Sequence, residues 1–365
     1  MRYFGFCSNA FPAWDLDSLT QDFFPQFKQL HHQVNSPVLA LDLQLGAGIV
    51  EKLPQRGGFL AQKLKEFDLE VGSLNLFPLC NFQADVVKTN VYSPNWLDEE
   101  RHRLTLMGAK WVAEVLKPQK KFSISTLAGC YHREGKTPAE MFPQLAKAYS
   151  HFAEQLATLK KESGCHIILC LEPEPFTSLQ KIQDVLDLWQ HFDSPASKTH
   201  LGINLDCCHF SVMGERPLDA WRYFKKNNIP VPKIHASTAL KLKGPLNQEQ
   251  INFLKEMNEP RFLHQTSLVK NNTISHHHDL DEVFPLIEET DELYCHFHMP
   301  LFLKEENGLF GTTEKHTLEI LKEARKENSI EIYAETYTWS ILGKNFASDP
   351  YDGIYKELLY LKKIL

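Results

Sequence analysis

The strongest constraint on the fold of this chain is a repeated alternation of short apolar runs with longer helix-like segments. The segments between the runs, such as Asp98 to Leu116 and Pro138 to Lys161, have helical patterns. Strands that alternate with helices in this way are typical of parallel α/β folds. The eight apolar runs lie at Arg2–Phe6, Val38–Leu43, Val71–Phe77, Phe122–Leu127, Ile167–Leu171, Leu201–Leu205, Lys233–Ala236 and Ile332–Ala334. This pattern predicts a closed (β/α)₈ barrel, although a doubly wound open sheet would show the same alternation.

One segment breaks the rhythm, because far more chain lies between His235 and Glu335 than a single crossover needs. We interpret it as an insertion at about residues 240–295, in the last strand–helix unit of one barrel domain spanning residues 1–365. Long insertions of this kind are usually functional or mobile. Within it, His276-His277-His278 lies in a polar stretch and is expected to form a solvated loop.

Composition and motifs narrow the range of partners. The formal net charge is −7 and no block is rich in Lys or Arg, which disfavours nucleic acid as a partner. No run approaches the roughly 18 apolar residues of a membrane-spanning helix, so we expect no membrane insertion and a cytoplasmic location. The chain has no GxGxxG, P-loop, CxxC or GxSxG pattern. The expected partner is therefore a small-molecule metabolite.

Polar side chains follow the carboxyl ends of the predicted strands, where barrel enzymes build their sites. Glu172 follows the fifth strand, Asp206 and His209 follow the sixth, His235 lies in the seventh, and Glu335 ends the eighth. Carboxylates and imidazoles are ligands that suit divalent metals. The sequence therefore predicts a divalent metal ion, with Zn, Mn, Fe, Co and Mg as candidates.

Further candidates lie in or near the insertion. If their segment is extended, His296 and His298 project to the same side, because side chains alternate along a strand. His264 could face the same cavity, or it could be structural. Lys88 and Arg101 are candidates for contacting an anionic substrate, with solvated surface as the alternative. Four aromatic residues could stack on a ligand or simply form wall and core: Tyr92, Trp96, Tyr337 and Trp339.

Three segments carry a resemblance to a known superfamily. The run 201–209, LGINLDCCH, resembles the LGVCLDTCH strand of the endonuclease IV and sugar isomerase/epimerase superfamily, whose fold is the xylose-isomerase-like barrel. Leu171-Glu172-Pro173 resembles its LEN strand, and Ala334-Glu335-Thr336 resembles its final LET. The resemblance implies that the metal ligands are Glu172, Asp206, His209 and Glu335. It further implies that His235 matches a seventh-strand ligand, and that His296 and His298 match an Asp-x-His element with His296 replacing the Asp.

Longer motifs resemble the EboE-type proteins, a family of xylose-isomerase-like barrels. The matching segments include 75–78 (NLFP), 87–96 (VKTNVYSPNW), 263–265 (LHQ), 296–301 (HFHMPL) and 335–339 (ETYTW). The family commonly has Gln where this chain has His235. Its members are called metabolite traffic proteins, because their bacterial gene clusters are implicated in exporting precursors of secondary metabolites. The resemblance implies a role in metabolite handling and association with other proteins of such clusters.

Two hypotheses of function follow. The chain is either a metal-dependent isomerase, epimerase or lyase, or a metal-free small-molecule binding protein without catalytic activity. In the first case, Glu172 and Glu335 would be the catalytic residues that move a proton between carbons. A phosphodiester nuclease is disfavoured by the acidic net charge and by the absence of histidines from the second and third strands.

Overall fold

The computed structural model describes residues 3–11, 15–133, 138–287, 290–304, 308–342 and 346–365. Its strands, in chain order, are β1 (Phe4–Cys7), β2 (Leu39–Gln44), β3 (Val71–Asn75), β4 (Phe122–Leu127), β5 (Ile167–Glu172), β6 (Leu201–Asp206), β7 (Lys233–Ala236), β8 (Thr238–Lys243), β9 (Thr266–Lys270), β10 (Thr273–His277), β11 (Glu292–Met299), β12 (Gly311–Thr312) and β13 (Glu331–Ala334). Strands β1 to β7 and β13 pair in parallel and close into a barrel, in which β13 lies between β7 and β1. The predicted (β/α)₈ barrel is confirmed. Arg2, which opens the first predicted strand, lies outside the described residues.

Helices connect the barrel strands and surround them. They are α1 (Phe24–Val34), α2 (Ala47–Val50), α3 (Leu53–Glu66), α4 (Glu99–Trp111), α5 (Pro138–Ser163), α6 (Ile182–Trp189), α7 (Pro195–His200), α8 (Cys207–Val212), α9 (Pro217–Lys226), α10 (Gln248–Met257), α11 (Glu314–Ala324), α12 (Trp339–Leu342) and α13 (Pro350–Ile364). No helix among the described residues is long and apolar enough to cross a membrane.

The barrel strands are covered on both faces, as parallel strands usually are. Every residue of β2, β4, β5 and β6 is buried. Strands β1 and β2 approach so closely that a Cβ on Gly5 would lie 1.7 Å from the carbonyl oxygen of Ala40. The interior also encloses an ion pair, in which the Lys233 ammonium lies 2.9 Å from the Asp42 carboxylate.

The chain between β7 and β13 forms a second, antiparallel sheet with the order β10-β9-β11-β8-β12. Its first strand, β8, begins two residues after β7, so the sheet is joined directly to the carboxyl end of a barrel strand. A register shift between Cys295 and His298 interrupts the pairing of β11 with β8. This sheet therefore brings the histidines of β11 to the barrel mouth.

The expectation of a solvated loop at 276–278 is wrong. Strand β10 pairs with β9 as a hairpin and includes His276 and His277. The His276 Nδ1 atom is 2.7 Å from Ser267 Oγ, and the His278 ring stacks on Phe176 at 3.9 Å. The polar side chains of this segment suggested a loop. They are compatible with a strand here because β10 lies at the edge of a partly exposed sheet, where alternating apolar residues are not needed.

Candidate metal centre

Three carboxylates and one imidazole meet at the carboxyl ends of four neighbouring barrel strands. Glu172 ends β5, Asp206 ends β6, His235 lies in β7, and Glu335 directly follows β13. Each offers one ligand atom, and these four atoms lie within 4.8 Å of one another. All four residues are buried. Parallel strands in a closed barrel bring their ends together, which explains how residues from distant parts of the sequence converge here.

His235 is held at the centre of this group by carboxylates on both sides. Its Nδ1 atom lies 3.0 Å from Glu172 Oε1 and 2.9 Å from Glu335 Oε2. Its Nε2 atom lies 2.8 Å from Asp42 Oδ2 and donates its proton there. Burial works to lower the pKa of His235, but the charges of Glu335 and Glu172 outweigh it and raise that pKa well above its ordinary value. The imidazolium therefore carries the positive charge among these acids, and loss of its Nδ1 proton would expose a ligand nitrogen.

The Asp42 carboxylate is held in turn by Lys233 and Ser73. The Lys233 ammonium lies 2.9 Å from both of its oxygens, and Ser73 donates a hydrogen bond of 2.6 Å to its Oδ1. Lys233 also donates to Ser125 Oγ at 2.8 Å. Lys233, Asp42 and His235 thus form a buried chain that sets the tautomer and orientation of the imidazole, as the partners of metal-binding histidines commonly do.

A second group, rich in imidazole, adjoins the first through Asp206. The ligand atoms of Asp206, His209 and His298 lie within 4.8 Å of one another, and so do those of Glu174, His209 and His296. The rings of His209 and His296 have centroids 4.7 Å apart. Asp206 accepts hydrogen bonds from the His209 backbone at 2.9 Å and from Ser237 Oγ at 2.8 Å. Asp206 is therefore positioned to serve both groups.

The three imidazoles of this second group are oriented alike. The Nδ1 atom of His209 donates to Pro173 O at 2.8 Å, and that of His298 donates to Glu335 O. The Nδ1 atom of His296 donates to Gln265 Oε1 at 2.6 Å. Gln265 is oriented by its own amide, which donates to Pro175 O. Because each acceptor is an oxygen without a proton, the neutral form of each ring presents the lone pair of Nε2 to the site.

These lone pairs make the donor set suitable for a cation. His296 Nε2 and His298 Nε2 lie 3.2 Å apart. Burial lowers the pKa of His296 well below its ordinary value and lowers that of His298 to about 4, so both rings are neutral at neutral pH. Two lone pairs at this distance repel unless a proton or a metal ion is shared between them. Buried nitrogen and oxygen donors of this kind suit Zn, Mn, Fe and Co.

The carboxylates point to the same conclusion. Oε2 of Glu172 and Oε2 of Glu174 are buried and have no hydrogen-bond partner within the described part of the chain. Burial raises the pKa of Glu174 and of Glu335 to about 7. Burial also favours a higher pKa for Asp206, but the charges of His209 and His235 and the hydrogen bond from the His209 backbone outweigh it and hold that pKa below its ordinary value. A cluster of acids under this strain gains from a bound divalent cation, and the residues present fit one.

The residues predicted from the sequence are divided between the two groups of ligand atoms, and one of them lies in neither group. Glu172, Asp206 and Glu335 meet as expected, and His235 completes their group. His209, His296 and His298 belong to the adjacent group. His264 joins neither group among the described residues, since its Nε2 is 3.0 Å from Glu259 Oε1.

Arg101, a candidate for contacting substrate in the sequence, has a structural role instead. Arg101 is buried and donates to the carbonyl oxygens of Pro94, Leu76 and Phe77, so it cannot contact substrate. Sequence reasoning missed four residues that hold the site: Asn9, Asp42, Lys233 and Gln265. The one available signal was a charged residue inside an apolar strand pattern, at Asp42 and at Lys233.

A cavity opens above the two groups, with about 50 Å³ of space that water-sized molecules can fill. Its floor is polar and comprises Asn9, Asn75, Glu172, Glu174, His209, His296 and Glu335. Its walls are mostly apolar and include Phe77, Phe82, Val91, Phe262, Leu263 and Tyr337. Tyr92, one of the aromatic residues noted in the sequence, also lines it, whereas Trp96 is buried and bonded to Thr126 Oγ1.

No family model matches the chain, and no curated protein matches it in sequence. Among solved structures, the chain is similar over nearly its whole length to three barrels. One is the probable 3-DHS dehydratase AsbF involved in the petrobactin synthesis from Bacillus anthracis, with 15% identity, a TM-score of 0.52 and 99% of each chain covered. Another is a D-tagatose 3-epimerase-like protein, with 14% identity, a TM-score of 0.52 and coverage of 100% and 97%. The third is the 3-keto-D-glucoside 4-epimerase YcjR from E. coli, with 13% identity, a TM-score of 0.51 and 100% of each chain covered.

At these identities the likeness shows the fold alone. The chain is a (β/α)₈ barrel, as these three structures are, with buried His, Asp and Glu groups suited to a metal ion. None of the three structures is described as an EboE-type protein, so a role in metabolite traffic stays a proposal.

Proposed function

We propose that this protein is a divalent-metal-dependent isomerase or epimerase, which moves a proton next to the carbonyl of a small hydroxy-carbonyl metabolite. One observation carries the proposal: the ligand atoms of Glu172, Asp206, His235 and Glu335 lie within 4.8 Å of one another, buried at the barrel mouth. The neighbouring imidazoles of His209, His296 and His298 could bind a second ion. The similar barrels named as epimerases share the fold, and the argument for chemistry rests on the site itself.

The residues that would hold the ion are Glu172, Asp206, His235 and Glu335. His209 would be a further ligand, because its ligand atom lies within 4.8 Å of that of Asp206. When bound, a divalent cation acts as a Lewis acid on the oxygens of a hydroxy-carbonyl compound and offsets developing negative charge.

The chain's own groups supply the proton transfer. Asn9 Nδ2 donates to Glu335 Oε1 at 2.8 Å and fixes that carboxylate on one side of the site. Glu172 lies on another side, and its Oε2 has no partner among the described residues. The Glu335 carboxylate is thus placed to take a proton from a substrate on the cavity floor and to return it. Glu172 and Glu335 are therefore our candidates for the catalytic acid and base.

We also propose that the substrate belongs to secondary-metabolite handling, as the EboE-like motifs imply, and that the protein associates with other proteins of such clusters. Support comes from segments such as 335–339 (ETYTW), in which Glu335 belongs to the metal group and Tyr337 lines the cavity. Co-purification of the tagged chain from its native host tests the association. Recovery of the chain without any co-encoded protein would count against it.

The alternative is a metal-free binding protein, and one observation favours it. His235 already bridges Glu172 and Glu335 as an imidazolium, which partly neutralises the acids without an ion. Such a protein would bind its metabolite in the cavity and catalyse nothing.

Metal content and solvent deuterium exchange separate these two functions. The protein would be dialysed against Zn²⁺, Mn²⁺, Fe²⁺, Co²⁺ or Mg²⁺, analysed for bound metal, and incubated in D₂O with a panel of hydroxy ketones and ketoses. We expect at least one bound ion per chain and metal-dependent uptake of deuterium next to a carbonyl, detected by NMR.

Two variants complete this test. Glu335→Gln should abolish the exchange, because the amide cannot accept the proton, whereas the exposed Glu256→Gln on α10 should not change it. A chain that binds no metal and shows no exchange would overturn the proposed enzyme function, whereas full exchange by Glu335→Gln would overturn the role that we assign to Glu335.

A further inference from the structure

The cavity divides its polar and apolar groups between two sides. Its polar side chains come from the ends of barrel strands and from β11, at the metal-binding floor. Its apolar side chains come mainly from the loop after β3, which supplies Phe77, Phe82 and Val91, and from Phe262 and Leu263 ahead of β9. A ligand that fills this space therefore meets oxygen and nitrogen ligands at one end and hydrocarbon at the other.

The apolar side is an aromatic cluster in direct contact with the histidines. The rings of Phe82 and Phe262 have centroids 5.1 Å apart, and each lies near Tyr337, at 5.3 and 4.8 Å. The Tyr337 ring in turn lies 4.5 Å from that of His298. Aromatic surfaces of this kind gain most from burying an apolar group of the ligand.

The cavity offers little to a ligand that bears hydroxyl groups along its whole length. Asn75 uses its Oδ1 to accept from the Phe77 backbone at 2.9 Å, and the Tyr92 hydroxyl donates to Glu174 at 2.9 Å. The Asn9 amide nitrogen is bonded to Glu335, which leaves Asn9 Oδ1 as an unpartnered acceptor close to the floor. Sugar hydroxyls buried against the opposite wall would lose their hydrogen bonds to water without replacement.

The cavity is equally unsuited to binding a phosphate group. Among the described residues that line the cavity there is no arginine, and Lys88 is the single lysine. Its ammonium lies 2.6 Å from Asp279 Oδ2. Phosphate groups in proteins are usually held by several cationic or backbone donors, which this cavity does not present.

We infer that the substrate of this site has an oxygen-bearing head, which binds at the acidic floor, and an uncharged aromatic or aliphatic body, which packs on Phe82, Phe262 and Tyr337. It is neither a free sugar nor a sugar phosphate. This inference rests on the proposed metal-dependent function, because the floor recognises the head through an ion.

A matched pair of chelating probes tests the inference. Acetohydroxamic acid and 3-phenylpropanohydroxamic acid share one metal-binding head and differ in their apolar body. Isothermal titration of the metal-loaded protein should show that the phenyl compound binds at least about tenfold more tightly, because its ring is buried against the aromatic wall. D-Fructose 6-phosphate should not displace it.

Variants locate the preference on the wall. Phe82→Ala should remove most of the preference for the phenyl compound while acetohydroxamic acid binds as before. Phe262→Leu is a milder second variant, should Phe82→Ala fold poorly. Phe253→Ala is the matched control, because that half-buried ring stacks on Phe310 at 4.9 Å and does not line the cavity.

The outcomes distinguish the two proposals. Equal affinities for the two hydroxamates, or tighter binding of the sugar phosphate, would overturn the apolar substrate class and leave metal-dependent chemistry standing. A protein that binds metal but neither hydroxamate would also refute the substrate class. A protein that binds no metal would overturn the function and, with it, this inference.

Discussion

At the scale of single residues, the site depends on a charge that lies beneath it. The Lys233 ammonium neutralises Asp42, and Asp42 accepts the Nε2 proton of His235. With Nε2 fixed as a donor, the ring can offer Nδ1 to Glu172, to Glu335 or to a metal ion. Asp42 and Lys233 are thus positioning residues, since neither takes part in the groups of metal-ligating atoms.

Asp42→Asn tests this arrangement. The variant leaves the buried Lys233 without its counter-ion, so we expect the free energy of unfolding to fall by about 3–5 kcal/mol. Metal affinity should fall about 10- to 100-fold, because the imidazole loses the charged carboxylate that fixes its tautomer and has only a neutral amide in its place. Urea unfolding and competition with a chelating dye measure the two effects separately.

The double variant Asp42→Asn, Lys233→Met separates positioning from stability. It removes both buried charges, so stability should recover in large part while metal affinity stays low. If metal affinity returned together with stability, Asp42 would be a structural residue and nothing more.

Asp42 and Lys233 also show where sequence reasoning stops. They lie 191 residues apart, on β2 and β7, and only closure of the barrel brings them together. In the sequence each is a charged interruption of an apolar run. The same limit applies to His209 and His235: both lie in or just after barrel strands, and only the packed structure shows that His235 is the ring that reaches Glu172 and Glu335.

At the scale of whole elements, the barrel strands could be predicted because burial on both faces leaves a continuous apolar run in the sequence. All eight predicted runs overlap barrel strands, and 122–127 and 233–236 have the observed bounds. The second sheet left a weaker trace, because β10 is a partly exposed edge strand with polar residues. Its position over the barrel mouth depends on long-range pairing, which no local pattern contains.

One element-scale contact joins the C-terminal helix to the site. Glu357 on α13 accepts hydrogen bonds from the Leu301 backbone at 3.0 Å, from Thr336 Oγ1 at 2.6 Å and from Trp339 Nε1 at 2.9 Å. It thereby holds the end of β11 and the segment after Glu335 against one helix. Burial raises the pKa of this carboxyl from 4.5 to about 7, against the opposing effect of the three donors.

This pKa predicts a pH dependence of stability. The folded state binds the proton more tightly than the unfolded chain, so the stability contributed by Glu357 is complete below about pH 4.5 and is lost as the pH rises through about 7. The free energy of unfolding of the parent chain should fall between pH 5 and 8. In Glu357→Gln, whose side chain cannot ionise, this fall should be smaller by up to about 3 kcal/mol. Urea unfolding across this range measures it, with the exposed Glu256→Gln as control. An unchanged pH profile in Glu357→Gln would contradict the assignment.

At the scale of the whole molecule, the buried acids link folding to metal binding. An ion that binds only the folded state stabilises it by about 2.7 kcal/mol at a free concentration 100 times its dissociation constant. Without an ion, the fold must bury Glu172, Asp206, Glu174 and Glu335 close together, and Oε2 of Glu172 and of Glu174 finds no partner among the residues that the structure describes. Proteins often keep such unfavourable arrangements at functional sites, where activity needs them.

Glu172→Gln should therefore have opposite effects in the two states. In the presence of a chelator the variant should be more stable than the parent chain by about 1–3 kcal/mol, because it removes a negative charge that repels Glu174 and Glu335 and raises the pKa of both. Its amide can still accept from His235 through Oε1, which keeps the imidazole in place. With saturating metal the order should reverse, since the variant lacks a ligand and gains little from the ion. Thermal unfolding of both chains, each with chelator and with metal, measures all four states. Equal metal-induced rises in melting temperature would show that Glu172 does not bind the ion, and would move the centre to the imidazoles of His209, His296 and His298.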